Sequence, residues 1–112
     1  MGMAAVVYLV VPCYNEEEVL PEASKRLIAK LEGLMEKELA SKESRILFVD
    51  DGSKDKTWEL IAGLHESTPY VCGLKLSRNR GHQNALLAGL TAARELCDCA
   101  ISLDADLQDD IE

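Results

Sequence analysis

Four short polar clusters in this sequence carry side chains suited to recognition, and each cluster directly follows an apolar run. The clusters are Pro12-Cys13-Tyr14-Asn15-Glu16, Asp50-Asp51-Gly52-Ser53, Ser77-Arg78-Asn79-Arg80-Gly81-His82 and Asp104-Ala105-Asp106. Asp104 and Asp106 flank one small residue. In an extended segment, positions i and i+2 point to the same side, so the pair offers hard carboxylate oxygens to Mg2+ or Mn2+, with ligand phosphates completing the shell. A solvated acidic turn is the plainer reading of a lone Asp-X-Asp. An EF-hand is excluded, because 104–112 is too short and lacks the turn glycine. Asp50 and Asp51 can accept hydrogen bonds from a base N–H or ribose hydroxyls; a simple Asp-Gly turn is the alternative. Lys75, Arg78, Arg80 and His82 form the densest cationic stretch, and Gly81 opens a helical pattern. A helix N-terminus beside cations suits a diphosphate, and a solvated charge run is the alternative. Tyr14 can stack on a base or pack half-buried. Trp58 reads as core and His65 as surface.

The elements that must carry these clusters alternate in type. Apolar runs at 5–11 (closed by Pro12), 46–49, 71–76 and 100–103 read as strands. Between the first two, Val19, Ala23, Leu27, Leu31, Leu34 and Met35 recur at helical spacing. Asn15 with Glu18 has the form of a capping box, although Pro21 places the regular helix from about Leu20. Asp55 caps a second helix carrying Trp58, Ile61 and Leu64, which Pro69 stops. Gly81 opens a third, with Ala85, Leu86, Ala88, Leu90, Ala92, Ala93 and Leu96 apolar. This β-α-β-α-β-α-β order implies an α/β fold: a Rossmann-like parallel sheet of about four strands with helices on both faces. Ligands of such sheets bind outside the carboxyl ends of the strands, where all four clusters fall.

The bulk properties narrow the field. The 112 residues fit one domain over 1–112, with no linker or repeat. A net charge of −8 argues against nucleic acid, which needs a basic footprint. Cys13, Cys72, Cys97 and Cys99 show no paired metal-ligand spacing, and Cys13 and Cys72 sit in apolar runs, so free thiols and a reducing cytoplasmic location are expected. No apolar stretch approaches the roughly 20 residues that span a bilayer.

The clusters also resemble a known family. Val10-Val11-Pro12-Cys13-Tyr14-Asn15-Glu16-Glu17 resembles the opening motif of family 2 glycosyltransferases of the GT-A fold. Phe48-Val49-Asp50-Asp51-Gly52-Ser53, followed by Asp55 and Thr57, is similar to their second motif. Ser77-Arg78-Asn79-Arg80-Gly81-His82-Gln83-Asn84-Ala85-Leu86 and Asp104-Ala105-Asp106-Leu107-Gln108-Asp109 resemble the subgroup acting on polyprenyl phosphates, such as dolichol-phosphate mannosyltransferases and bactoprenol glucosyltransferases. The resemblance covers the whole chain. It implies that Pro12, Tyr14 and Glu16 line a nucleoside pocket, that Asp51 with Asp50 binds base or ribose, and that Arg80 and His82 lie near base and diphosphate. Asp104, Asp106 and Gln108 would hold a divalent metal and the donor phosphates. The reaction implied is inverting transfer from a nucleotide-diphosphate sugar to a lipid phosphate, with the full-length protein at the cytoplasmic face of the membrane.

Two departures qualify the resemblance. Members usually continue after the fourth motif with prolines, where this chain has Asp110-Ile111, and they extend well beyond it. The catalytic residues and acceptor site are therefore expected outside 1–112, and this segment alone is expected to transfer no sugar. With the fourth strand left as an edge, it is expected to self-associate. Two other readings remain: a nucleotide-sugar-binding module without catalysis, and a signalling receiver domain, which also carries an acidic pair after a strand.

Overall fold

The computed structural model describes residues 4–103. Strands and helices alternate as β1 (Val7–Cys13), α1 (Leu20–Glu36), β2 (Arg45–Asp50), α2 (Thr57–Ser67), β3 (Val71–Lys75), α3 (His82–Ala93) and β4 (Cys99–Ser102). The strands form one sheet in the order β3-β2-β1-β4, and every pairing is parallel. The expected doubly wound α/β architecture is therefore present, with β4 beside β1. A receiver domain is excluded, because that fold places its third strand next to the first.

Strand alternation explains the two cores. Val7, Leu9, Val11 and Cys13 of β1, with Ile46 and Phe48 of β2, point to the face covered by Leu20, Leu27 and Leu31 of α1 and Ile61 of α2. Tyr8, Val10, Leu47 and Val49 point to the opposite face, against Ala85 and Ala93 of α3. Because the chain reverses direction after β3 to reach β4, a right-handed crossover carries α3 to that second face. All seven residues of β1 are buried, as expected of a central strand covered on both faces. α3 lies close to the sheet: a Cβ on Gly89 would come within 2.6 Å of Val10 and 2.7 Å of Val49. The small stripe Ala85, Gly89, Ala93 makes that approach possible.

Several local expectations are corrected. Pro12 does not close the first strand but lies within it, paired with Val49. Val6 and Val10 accept bonds from residues of the β4 side, so by alternation the nitrogen of Pro12 also faces that side. It lies beyond the last β1–β4 pair, Val10 with Ser102, so its missing N–H breaks no bond of either ladder. Asn15 is not a cap: α1 begins after Val19. Asn15 instead adopts a left-handed backbone, φ 53°, a conformation that asparagine tolerates better than most residues. The residue before α2 is Lys56, so Asp55 stands one position earlier than a standard cap, although its carboxylate accepts the Thr57 N–H at 2.9 Å. The fourth strand begins at Cys99, and all four of its residues are exposed, unlike those of β1. All four cysteines are free thiols. Asp104, Asp106 and Gln108 lie outside the described residues.

Candidate functional site at the carboxyl end of the sheet

Strand order reverses between β1 and β4, and the crevice at such a switch point is where open α/β sheets bind ligands. The loop after β1 borders this crevice, and two hydrogen-bonded clamps hold it together with the loops after β2 and β3.

The first clamp joins the β1–α1 and β2–α2 loops. The Asn15 N–H donates to Ser53 Oγ at 2.9 Å, and the Lys54 N–H donates back to Asn15 Oδ1 at 2.9 Å. The Glu16 N–H donates to Thr57 Oγ1 at 2.8 Å, and the Glu17 N–H to Asp55 Oδ2 at 3.2 Å. The Thr57 hydroxyl donates in turn to Asp55 Oδ1. These bonds satisfy backbone N–H groups that neither the strand ladder nor the helix can use. Burial raises the Asp55 pKa, but the Thr57 hydroxyl and the Thr57 and Glu17 N–H groups outweigh it, so the carboxyl is held below its ordinary value. A depressed carboxyl stabilises the fold above its unfolded pKa, and that contribution is lost as pH falls through the folded value. Wild-type unfolding free energy is therefore expected to drop as pH falls below the ordinary aspartate range of about 4, and an Asp55→Asn variant should show a shallower drop in urea titrations. Equal slopes would show that Asp55 is not a contributor.

The second clamp is Asp51. One of its oxygens accepts the Arg80 N–H at 2.7 Å; the other accepts the Gly81 N–H at 3.1 Å and the Asn79 side-chain amide at 3.3 Å. Only 2% of Asp51 is exposed. Gly52 lets the loops meet: its φ is +70°, and a Cβ there would lie 2.3 Å from the Asn79 nitrogen. The N–H groups of Arg80 and Gly81, just before α3, are thus already occupied by an internal carboxylate.

Asp50 is the last residue of β2 and Asp51 the first beyond it, and their carboxylates bond different partners. Asp50 is fully buried. Its Oδ1 accepts the Ser53 N–H at 3.2 Å, while Oδ2 has no partner among the described residues. Cys13 pairs with it across the ladder. Burial, followed by the charges of Glu16 and Asp50, pushes the Cys13 thiol far up, so it stays neutral.

The other expected site residues gather at this same end. Pro12 is buried, Glu16 is half-buried, and Arg80 and His82 are exposed. Tyr14 is 40% exposed, which leaves its ring able to stack on a ligand. Within the cationic stretch, the Lys75 ammonium lies 5.7 Å from the Trp58 ring centre, and Lys75 also lines a cavity with Arg80 and Asn84. His65, read as a surface residue, is exposed but also bonds the Val71 carbonyl through Nδ1 at 2.7 Å. Asn15, Ser53, Asp55 and Thr57 were not marked as site residues by their chemistry; the spacing of Asp55 and Thr57 just before a helix was the available signal. Among the described residues, no group of three His, Cys, Asp or Glu side chains is placed to hold a metal, and no helix is long and apolar enough to cross a membrane.

Comparison with known proteins agrees with this geometry. The chain is 57% identical to a glycosyltransferase of Bacillus subtilis, YkoT, over 106 residues, which is 95% of this chain and 32% of that protein. It is 44% identical to a prophage bactoprenol glucosyl transferase homolog of Escherichia coli, again over 95% of this chain and 32% of the relative. An undecaprenyl-phosphate 4-deoxy-4-formamido-L-arabinose transferase of Shewanella sediminis is 39% identical over 91% of this chain and 29% of its own length. The chain thus spans about a third of the length of these curated relatives. Among solved structures, a mannosyltransferase of Pyrobaculum calidifontis in complex with GDP-Man and Mn2+ superposes with a TM-score of 0.67 at 25% identity, over 92% of this chain and 28% of that one. TarS of S. aureus in complex with UDP-GlcNAc gives a TM-score of 0.64 at 21% identity, over 90% of this chain and 26% of that one, and shows the shared fold. The model of glycosyl transferase family 2 matches residues 8–112, so the chain belongs to that family.

Proposed function

We propose that this domain binds the nucleoside diphosphate part of a sugar donor in the crevice between the ends of β1 and β4. The full-length protein would then transfer the sugar to a polyprenyl phosphate at the cytoplasmic face of a membrane. The observation that carries this reading is the bonding together, at the carboxyl end of the sheet, of the loops after β1, β2 and β3, the segments that bear Tyr14, Glu16 and Arg80 and lead into His82. The polyprenyl-phosphate relatives and the GDP-Man and Mn2+ bound to the Pyrobaculum enzyme support it.

Within this reading the roles divide by chemistry. Tyr14 offers a ring face to the base, with Pro12 as the pocket floor beneath it. Asp50 has an unpaired buried oxygen that a donor N–H can satisfy. Asp51, whose oxygens are already engaged, acts by shaping the loop that presents Arg80 and His82. The acceptor phosphate is already ionised, so its oxygen can attack the anomeric carbon from the face opposite the leaving diphosphate, inverting that centre. The described carboxylates do not form a cation site. A divalent metal would therefore fall to Asp104 and Asp106, with Gln108, in the segment that follows Leu103. The Leu103 N–H bonds the Val10 carbonyl at 3.0 Å, beside the end of β1. Such a metal supplies Lewis-acid neutralisation of the departing diphosphate.

Calorimetry with UDP and GDP tests the proposal. One of them is expected to bind about tenfold more weakly when EDTA replaces Mn2+, a difference of about 1.4 kcal/mol, and Asp104→Asn should abolish the metal response while the protein stays folded. Equal affinity with and without metal would overturn the metal role, and no binding of either nucleotide would overturn the donor site.

A further inference from the structure

We propose that Thr57, oriented by Asp55, is a positioning residue for the nucleoside-binding segment 14–17, acting from the neighbouring loop without touching the ligand. This rests on the donor-site reading above. Thr57 is the first residue of α2 and is fully buried. Its hydroxyl is fully committed: the oxygen accepts the Glu16 N–H at 2.8 Å, and the hydrogen goes to Asp55 Oδ1. Asp55 is committed in the same way, because Oδ1 also takes the Thr57 N–H and Oδ2 takes the Glu17 N–H.

The segment being held needs such an anchor. Asn15 is in the left-handed region, and the chain must turn from β1 into α1 with the backbone N–H groups of Asn15, Glu16 and Glu17 outside any helix. All three are taken by side chains of the β2–α2 loop and the first residue of α2. The direction in which Tyr14 and Glu16 point is therefore set by residues about forty positions later (sequence separations of 38 and 41). Of the three anchors, Thr57 alone is both fully buried and rooted in a regular helix. Ser53 sits in the turn itself, and Asp55 precedes the helix.

The test uses the full-length protein with UDP and GDP as probes in the presence of Mn2+. Thr57→Val keeps the shape of the side chain but removes the hydroxyl, and Thr57→Ser restores it. Asp55→Asn keeps one acceptor and withdraws the other from Glu17. Thr57→Val is expected to weaken the nucleotide that binds wild type by about tenfold, with Thr57→Ser within about twofold of wild type and Asp55→Asn between them. In donor kinetics the loss should appear in KM with kcat little changed, since the segment binds the nucleoside and not the reacting atoms. If wild type binds and Thr57→Val binds equally well, the positioning role is overturned while the donor site stands. A Thr57→Ser variant as weak as Thr57→Val would also overturn it, because the hydroxyl would then not be the cause. If Thr57→Val does not fold, Asp55→Asn decides on the same KM readout. If wild type binds neither probe, the donor-site reading falls and this inference with it.

Discussion

Gly52→Ala is expected to destabilise the domain by about 3 kcal/mol or more. A left-handed backbone costs a residue with a Cβ about 1–2 kcal/mol, and forcing atoms into a filled space costs a further 1–3 kcal/mol or so. Here the new Cβ would meet backbone, not a movable side chain: Asn79 N at 2.3 Å, Arg78 C at 2.4 Å and Arg78 Cα at 2.8 Å. The loops after β2 and β3 must separate to admit it, and separation pulls Asp51 away from the Arg80 and Gly81 N–H groups. Urea denaturation reads the effect. Gly33→Ala in α1 is the control, because nothing lies within 4 Å of its would-be Cβ and alanine favours a helix interior over glycine by about 1 kcal/mol. A Gly52→Ala variant as stable as wild type would show that the two loops are not held in contact.

Asp51→Ala is expected to cost a similar amount, about 3–5 kcal/mol, because it removes a buried charged acceptor from several N–H donors. Three donors lose their acceptor at once, and a hydrogen bond to a charged group contributes about 1.5–3 kcal/mol. Asp51→Asn tests the charge and geometry separately. It keeps one acceptor oxygen but places an amide NH2 against an N–H donor, so it should recover only part of the loss. Nucleotide affinity should fall in both variants, because Arg80 and His82 sit on the loop that Asp51 holds. Hydrogen exchange at the Arg80 and Gly81 amides checks the local effect: slow in wild type and fast in either variant. Asp51→Asn within about 0.5 kcal/mol of wild type, the range of an ordinary surface change, would overturn this account.

The two members of the acidic pair are held differently. From the sequence, Asp50 and Asp51 are adjacent carboxylates with the same apparent task. In the fold their carboxylates meet different partners. Asp51 has both oxygens filled, whereas Asp50 has one oxygen unpaired within the α1/α2 side of the site.

The sequence by itself determined the alternation of elements, the parallel sheet and the end at which the site lies. Local rules suffice for these. Short apolar runs bounded by turn residues make buried strands, helical spacing makes the covering layers, and parallel connections place every β–α loop at one end. The family motifs were legible for the same reason, being contiguous in the chain. Only the tertiary structure decided which side chains bind outward and which hold the loops together. Asn15 meets Ser53 and Lys54, Glu16 meets Thr57, and Asp51 meets Arg80 and Gly81, because the β1–β2 register sets Cys13 beside Asp50 and the β2–β3 register sets Asp50 beside Lys75. A hydrogen bond needs its partners placed within a few tenths of an ångström. Partners 29 to 41 residues apart are brought that close only by strand register and by helix packing at Gly89, neither of which composition or spacing encodes.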